Sequence, residues 1–375
     1  MTDMALHPLV RRLRLSPTLS AYVARQYTVW FFGYFLGLIG IILLVSTVDL
    51  LDRVASQYAS LGIVLRMVLL KLPYLSQEVM PFTVLFAGLT CFWRMTRSHE
   101  LVITRAAGIS VWQILLPVLG VAGLVGVVTV TLLNPLASIL LGRFEQMEAK
   151  YVRNEGSTLS VSRAGLWLRQ ADPSGQSVIH AQRVTQEPLV LHDVIVFQFE
   201  GQDRFVGRID AARAELEANR WVMYEAWQTR PGSPAEFAKR VDVSTKLTRE
   251  KILDSFAPPE TISFWSLPGF IDLLHEAGFS AIRHRLQLHR LLATPVLLAA
   301  MILLAATFSL RPQRRGRVGL VILSGVLAGF LLYFLSNFVF ALGLSARIPV
   351  VLAAWTPAGV SMMLGIATLL HLEDG

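Results

Sequence analysis

Groups able to exchange protons, hold a metal or attack a substrate are sparse in this 375-residue chain, and their spacing excludes more chemistry than it supports. His275-Glu276 opens the H-E-x-x-H pattern of a zinc protease, but its fifth position is Phe279. One histidine and one glutamate cannot make a three-ligand catalytic site. No G-x-S-x-G elbow occurs. The single thiol, Cys91, has His99 as its only nearby histidine, so a small buried hydrophobe is the plainer reading. No G-x-x-x-x-G-K-S/T loop is present either. If the protein uses ATP, a separate subunit must bind ATP and Mg, and this chain itself carries no cofactor, no metal and no catalytic residue.

The elements that would hold any remaining site are set by composition. Hydrophobic residues make up 54% of the chain and charged residues only 16%, against about 25% charged in soluble domains. With a mean hydropathy of +0.53, a soluble enzyme is excluded. Residues 143–290 hold 19 basic and 19 acidic side chains, so the formal charge of +8 lies entirely in the two apolar flanks. Positive charge on the loops of apolar segments is a mark of membrane orientation and gives no support to a nucleic-acid partner. One cysteine excludes an internal disulfide and leaves the compartment open.

Crossing a ~30 Å hydrocarbon core takes about 20 apolar residues. Charge-free runs at Tyr27–Val48, Ala106–Gly142, Leu291–Leu310, Val318–Ala346 and Ile348–Leu370 qualify, the second including a loop at its start. Leu61–Trp93 is a sixth, carrying Arg66, Lys71 and Glu78 and two prolines, Pro73 and Pro81, where a kink is expected. Arg11, Arg12, Arg14 and Arg25, then Arg94, Arg97 and Arg105, then Arg311, Arg314, Arg315 and Arg317 fall on one side of these spans. That side is predicted to be cytoplasmic, with both termini on it. A signal peptide is not expected, because the first run is span-length and lacks a small-residue exit.

Between the third and fourth spans the period becomes alternating, as in Leu166-Trp167-Leu168, Val194 to Phe199 and Arg220 to Tyr224. Turn-rich breaks separate these runs, which predicts an outer β domain of sandwich or jelly-roll type over residues 143–285, flanked by membrane halves at 1–142 and 286–375. Leu267–Ala277 reads as a short helix with Ser266 as its cap and Gly278 as its stop.

The loop between the second and third spans reads Ser98-His99-Glu100-Leu101-Val102-Ile103-Thr104-Arg105-Ala106-Ala107-Gly108-Ile109-Ser110. A short helix over about 97–108 is predicted, with Ser98 capping its start, Gly108 ending it and Ser110 capping the next span. It is either a docking element for a partner's groove or a membrane-surface connector. This run resembles the S-x-E-L…R-A-x-G-x-S signature of the LptF/LptG family of lipopolysaccharide export permeases. Thr47-Val48-Asp49, the span with Pro73 and Pro81, Trp221-Val222-Met223 and Arg347-Ile348-Pro349 are also similar to that family, and the likeness covers nearly the whole chain. Ser336-Asn337-Phe338-Val339-Phe340 with Gly343 looks more like the G-type subunit.

The resemblance implies an α-helical polytopic inner-membrane protein of six transmembrane helices with an inserted all-β periplasmic jelly roll. Implied partners are an F-type permease paralogue, a cytoplasmic ATPase dimer, a single-span jelly-roll periplasmic protein and lipopolysaccharide. The assembly would extract lipopolysaccharide from the outer leaflet of the inner membrane and pass it to a periplasmic bridge. By the same resemblance Glu100 lies on an ATPase-coupling helix, supported by Arg105 and belonging with Arg97 and Gly108. Lys71, Arg66, Glu78 and Arg53 are candidate lipid-binding charges. Lys71 and Glu78 share one helix face, while Arg66 and Lys71 could equally snorkel to ordinary headgroups and Glu78 could pair with a neighbouring helix. Gly33, Gly37, Gly325 and Gly329 form small-residue faces where lateral gates would pack, or where helices simply pack. Ser46 departs from the family, whose members can carry a basic residue three positions before the residue matching Asp49. A scaffold that transmits ATPase motion without passing lipid through its spans is the competing class.

Overall fold

The computed structural model describes residues 16–54, 61–149, 158–162, 165–172, 175–185, 189–200, 204–217, 220–245, 257–276, 279–310 and 318–374. Arg11, Arg12, Arg14, the arginines of 311–317 and Gly278 lie outside the described residues. The chain divides into a helical unit, Met1–Leu141 with Leu286–Gly375, and a β unit, Gly142–Arg285.

The helices are α1 (Pro17–Val54), α2 (Leu61–Arg97), α3 (Glu100–Ala106), α4 (Val111–Val128), α5 (Asn134–Glu148), α6 (Leu267–Glu276), α7 (Ile282–Ser309), α8 (Val318–Leu344) and α9 (Val350–Asp374). Six stretches are long and apolar enough to cross a membrane: α1, α2, α4 with α5, α7, α8 and α9. α4 and α5 run on through a π-helical turn, Thr129–Leu133, where the chain carries a wider hydrogen-bonded loop. α2 continues through both prolines, and Ser76 and Thr83 donate to the Pro73 and Val79 carbonyls at 2.7 and 3.1 Å.

The core of the helical unit gathers Val23 and Tyr27 of α1, Val84, Phe92 and Met95 of α2, Ile114 and Leu115 of α4, and Leu298 and Ile302 of α7. Water is absent from a bilayer, so close packing and hydrogen bonds, rather than the hydrophobic effect, hold such helices together. Small residues allow the approach. A Cβ added to Gly126 would stand 2.6 Å from Pro295 Cα, and one on Gly88 would stand 2.9 Å from Ala305 Cβ. Hydroxyls add to this: the Thr96 hydroxyl lies 3.0 Å from the Ser309 carbonyl and 2.9 Å from that of Phe92, Ser309 donates to the Leu89 carbonyl at 3.2 Å, and Thr307 and Thr368 lie 3.0 Å apart.

The β unit is one antiparallel sheet of seven strands in chain order: β1 (Thr158–Ser162), β2 (Gly165–Asp172), β3 (Gly175–Thr185), β4 (Val190–Glu200), β5 (Arg204–Glu217), β6 (Arg220–Thr229) and β7 (Glu236–Ser244). Flat, β2 and β7 would stand about 24 Å apart at the usual strand spacing. Yet Gln170 of β2 donates to the Ser244 carbonyl at 3.0 Å and accepts from Thr245 at 2.6 Å. The sheet therefore folds over on itself, and its two halves face each other as the layers of a roll do, with every described pairing made between strands adjacent in sequence. One row interrupts alternation across four strands. Ala181 and Val184, Leu191 and Val194, Ala211 and Ala214, and Met223 and Ala226 are all buried, with two less buried residues between each pair. Asp193 and Glu225, in that row, take φ of 55° and 54°, a left-handed conformation costly for residues with a Cβ. The row is a crease.

Candidate functional site

α3 stands at the end of the helical unit where α2 finishes. Its start differs from expectation: His99, with φ of 61°, is the N-cap and makes no side-chain cap, whereas Ser98 belongs to the turn that closes α2. The Ser98 hydroxyl lies 2.9 Å from the Arg94 carbonyl and 2.8 Å from Glu100 Oε1, and its single proton serves one of the two. Those partners draw it away from the free N–H groups of α3. The far end is as expected. Gly108 takes φ of 80°, its N–H bonds to the Arg105 carbonyl at 3.0 Å, and the Ile109 N–H reaches the Thr104 carbonyl at 3.1 Å. These bonds make a Schellman closure in a conformation that suits glycine. Ser110 and Gln113 then form a capping box at the start of α4.

Leu101 anchors α3 in the core, while Val102 and Ile103 are 62% and 67% exposed. Arg105 is exposed at the last turn, where a cation complements the helix dipole. Arg97 lies over the Trp93 ring at 5.3 Å, outside α3. Glu100 is half-buried, and Tyr22 of α1 donates to its Oε2 at 3.2 Å. The short helix thus has a buried anchor, an exposed apolar pair and a carboxylate that accepts from Tyr22 and lies beside the Ser98 hydroxyl.

Sequence spacing puts the second group of charges at definite heights. Glu78 precedes the end of α2 at Arg97 by 19 residues, and Arg290 precedes the end of α7 at Ser309 by 19. At 1.5 Å per residue each is about 28 Å along its helix, near the far edge of a ~30 Å core. They meet: Arg290 Nη2 lies 3.2 Å from Glu78 Oε2 and 3.3 Å from Oε1, with both side chains about one-third exposed. The guanidinium also lies 5.1 Å from the centre of the Phe340 ring of α8. Glu78 therefore joins α2, α7 and α8 as a helix partner. Arg290 is not singled out by the sequence alone; its signal is a cation directly before the apolar run that starts at Leu291. Gln77 and Asn134 add a 3.4 Å contact between α2 and α5.

Lys71, half-buried, and Arg66, exposed, lie further along α2, at about 39 and 46 Å from Arg97 on the same rise, a distance greater than the ~30 Å thickness of a hydrocarbon core. Arg53 is elsewhere, at the end of α1, in an exposed i,i+4 pair with Asp49 at 3.0 Å. Such pairs contribute about 0–1 kcal/mol. The glycine faces divide. Gly325 and Gly329 of α8 are buried against Leu89 and Leu85 of α2, whereas Gly33 and Gly37 of α1 have, among the described residues, nothing within 4 Å of an added Cβ. Phe279, in the position where a zinc motif needs histidine, is buried.

Known proteins resemble the chain over most of its length. A family profile described as "Lipopolysaccharide export system permease LptF/LptG" matches residues 21–371. The lipopolysaccharide export system permease protein LptG of Escherichia coli K12 is 24% identical over 311 residues, covering 81% of this chain and 84% of the relative. The protein of that name from Haemophilus influenzae is 23% identical over 350 residues, covering 91% and 95%.

Proposed function

The chain belongs to the LptF/LptG family of lipopolysaccharide export system permeases, and on that premise we propose that it is the G-type permease subunit of an ATP-driven exporter. It pairs in the inner membrane with an F-type paralogue above a cytoplasmic ATPase dimer. Both termini and α3 are cytoplasmic, and the β unit is periplasmic. Lipopolysaccharide enters from the outer leaflet and passes to a periplasmic bridge, which a single-span jelly-roll protein helps to form.

The observation that carries this reading is α3. Its anchored Leu101, exposed Val102 and Ile103, and held Glu100 suit insertion into an apolar groove rimmed by a basic group. The ATPase supplies hydrolysis, and this chain supplies a path for motion. At the other edge of the membrane, Lys71 and Arg66 lie at headgroup height, where a cation attracts lipid A phosphates without leaving water. The folded sheet turns Leu166, Leu168, Val196 and Ile209 inward, which suits shielding of acyl chains from water.

Those inward residues are well buried, and this favours a second reading in which ATPase motion reaches the β unit without lipid passing through the spans. Purifying the full chain from its own membrane and identifying co-purified proteins and lipids separates the two. A second six-span permease, an ATPase and bound lipopolysaccharide are expected. The ATPase without the lipid would favour the transmission reading, and neither would contradict both.

A further inference from the structure

Glu100 is the only carboxylate among residues 79–144, and its two oxygens face hydroxyls from different elements. Ser98 Oγ lies 2.8 Å from Oε1, and Tyr22 Oη, 78 positions away on α1, donates to Oε2 at 3.2 Å. We infer that Tyr22 is a positioning residue that ties α3 to α1, so that displacement of the docking helix is passed to the most exposed of the spanning helices. The inference rests on the reading of α3 as the ATPase contact.

A carboxylate has about four lone-pair positions, and even with both hydroxyls donating, two remain for a partner's cation. Docking therefore need not displace Tyr22. The bond is charge-assisted, so it is stronger than one between neutral groups. α1 is also built to respond at this end. Val23 and Tyr27 are fully buried in the shared core, whereas only 6% of the most apolar stretch of α1 is buried. The helix is held near α3 and open beyond. At 100° per residue, Tyr22 shares a face with Gly33 and Gly40, neither of which has a neighbour within 4 Å of an added Cβ. A pull on Tyr22 turns that open face.

The test uses the complete complex of this chain, its paralogue and the ATPase, reconstituted in proteoliposomes, with lipopolysaccharide delivered per ATP hydrolysed as the readout. Tyr22→Phe keeps the ring and removes the donor. It is expected to lower that ratio about five-fold or more while assembly and ATP hydrolysis stay within about two-fold. Glu100→Ala, measured alongside, is expected to lower it at least as far, and adding Tyr22→Phe to Glu100→Ala should lower it no further. An unchanged ratio in Tyr22→Phe beside an uncoupled Glu100→Ala would overturn the role of Tyr22 and leave the reading of α3 standing. An unchanged Glu100→Ala would overturn both. Loss of the complex in Tyr22→Phe would overturn the inference by making the residue merely structural.

Discussion

α1 is more apolar than α2, yet 6% of its most apolar stretch is buried against 61% for α2. The charges show the same inversion. α2 carries Arg66, Lys71 and Glu78 inside its length and packs against α7, while α1 has no charged residue between Arg25 and Asp49 and faces outward. In a soluble protein the more apolar helix would be the inner one. In a membrane the outer solvent is hydrocarbon, so apolarity reports contact with lipid or a partner subunit, and polar groups mark where protein meets protein. α2 and α7 are the frame, and α1 and α8 are the faces presented to another molecule.

One substitution placed on the outward α1 and on α4, where α4 packs against the frame helix α7, gives the sharpest contrast. Gly126→Leu forces a branched side chain into the backbone of Pro295, and a loss of about 3 kcal/mol or more, enough to remove the folded monomer in size-exclusion chromatography, is expected. At Gly33 no described residue lies within 4 Å of an added Cβ, so with Gly33→Leu thermal unfolding of the isolated protein should hold while pairing with the paralogue fails. Equal loss of monomer stability in both would break the comparison.

Next in size is Glu100→Arg. Repulsion from a basic groove should reduce lipopolysaccharide transport to near background while leaving assembly partly intact, read as lipid delivery beside co-purification of the ATPase. Normal transport would remove Glu100 from the contact.

Glu78→Ala and Arg290→Ala should each cost about 1–3 kcal/mol by stranding a charge at the membrane edge, and the double variant less than their sum. Additive losses in denaturant titrations would mean that the pair does not join the frame. The smallest effect has opposite signs at the same two positions. Gly33→Ala should stabilise the isolated chain by about 0.5–1 kcal/mol through helix propensity, whereas Gly126→Ala should destabilise it.

Spans and the β unit were legible because each depends on a local pattern, charge-free runs in one case and alternation in the other. The Gly108 stop was legible for a similar reason, since a left-handed closing residue favours glycine. What sequence left open was pairing at long range. Glu78 and Arg290 stand 212 positions apart, and equal heights on two helices become visible only once both helix ends are fixed. The two glycine faces look alike as sequence, but Leu85 and Leu89 cover that of α8, whereas no described residue comes within 4 Å of a Cβ added to that of α1. The place of Ser98 was not legible, because a hydroxyl that caps α3 and one that turns back to the end of α2 have the same local sequence. Sheet order was open as well, since alternation fixes faces and leaves strand neighbours undetermined.

Whether lipopolysaccharide is held against α2 at headgroup height is tested most directly by photocrosslinking from benzoylphenylalanine placed at Arg66 or Lys71 in the full complex, with Val102 as the control position. Lipopolysaccharide adducts at both α2 positions and none at Val102 are expected, the α2 adducts falling when ATP is added, with Lys71→Glu weakening retention of the lipid. Sustained ATP hydrolysis and lipid delivery without an adduct at either α2 position would contradict passage along α2.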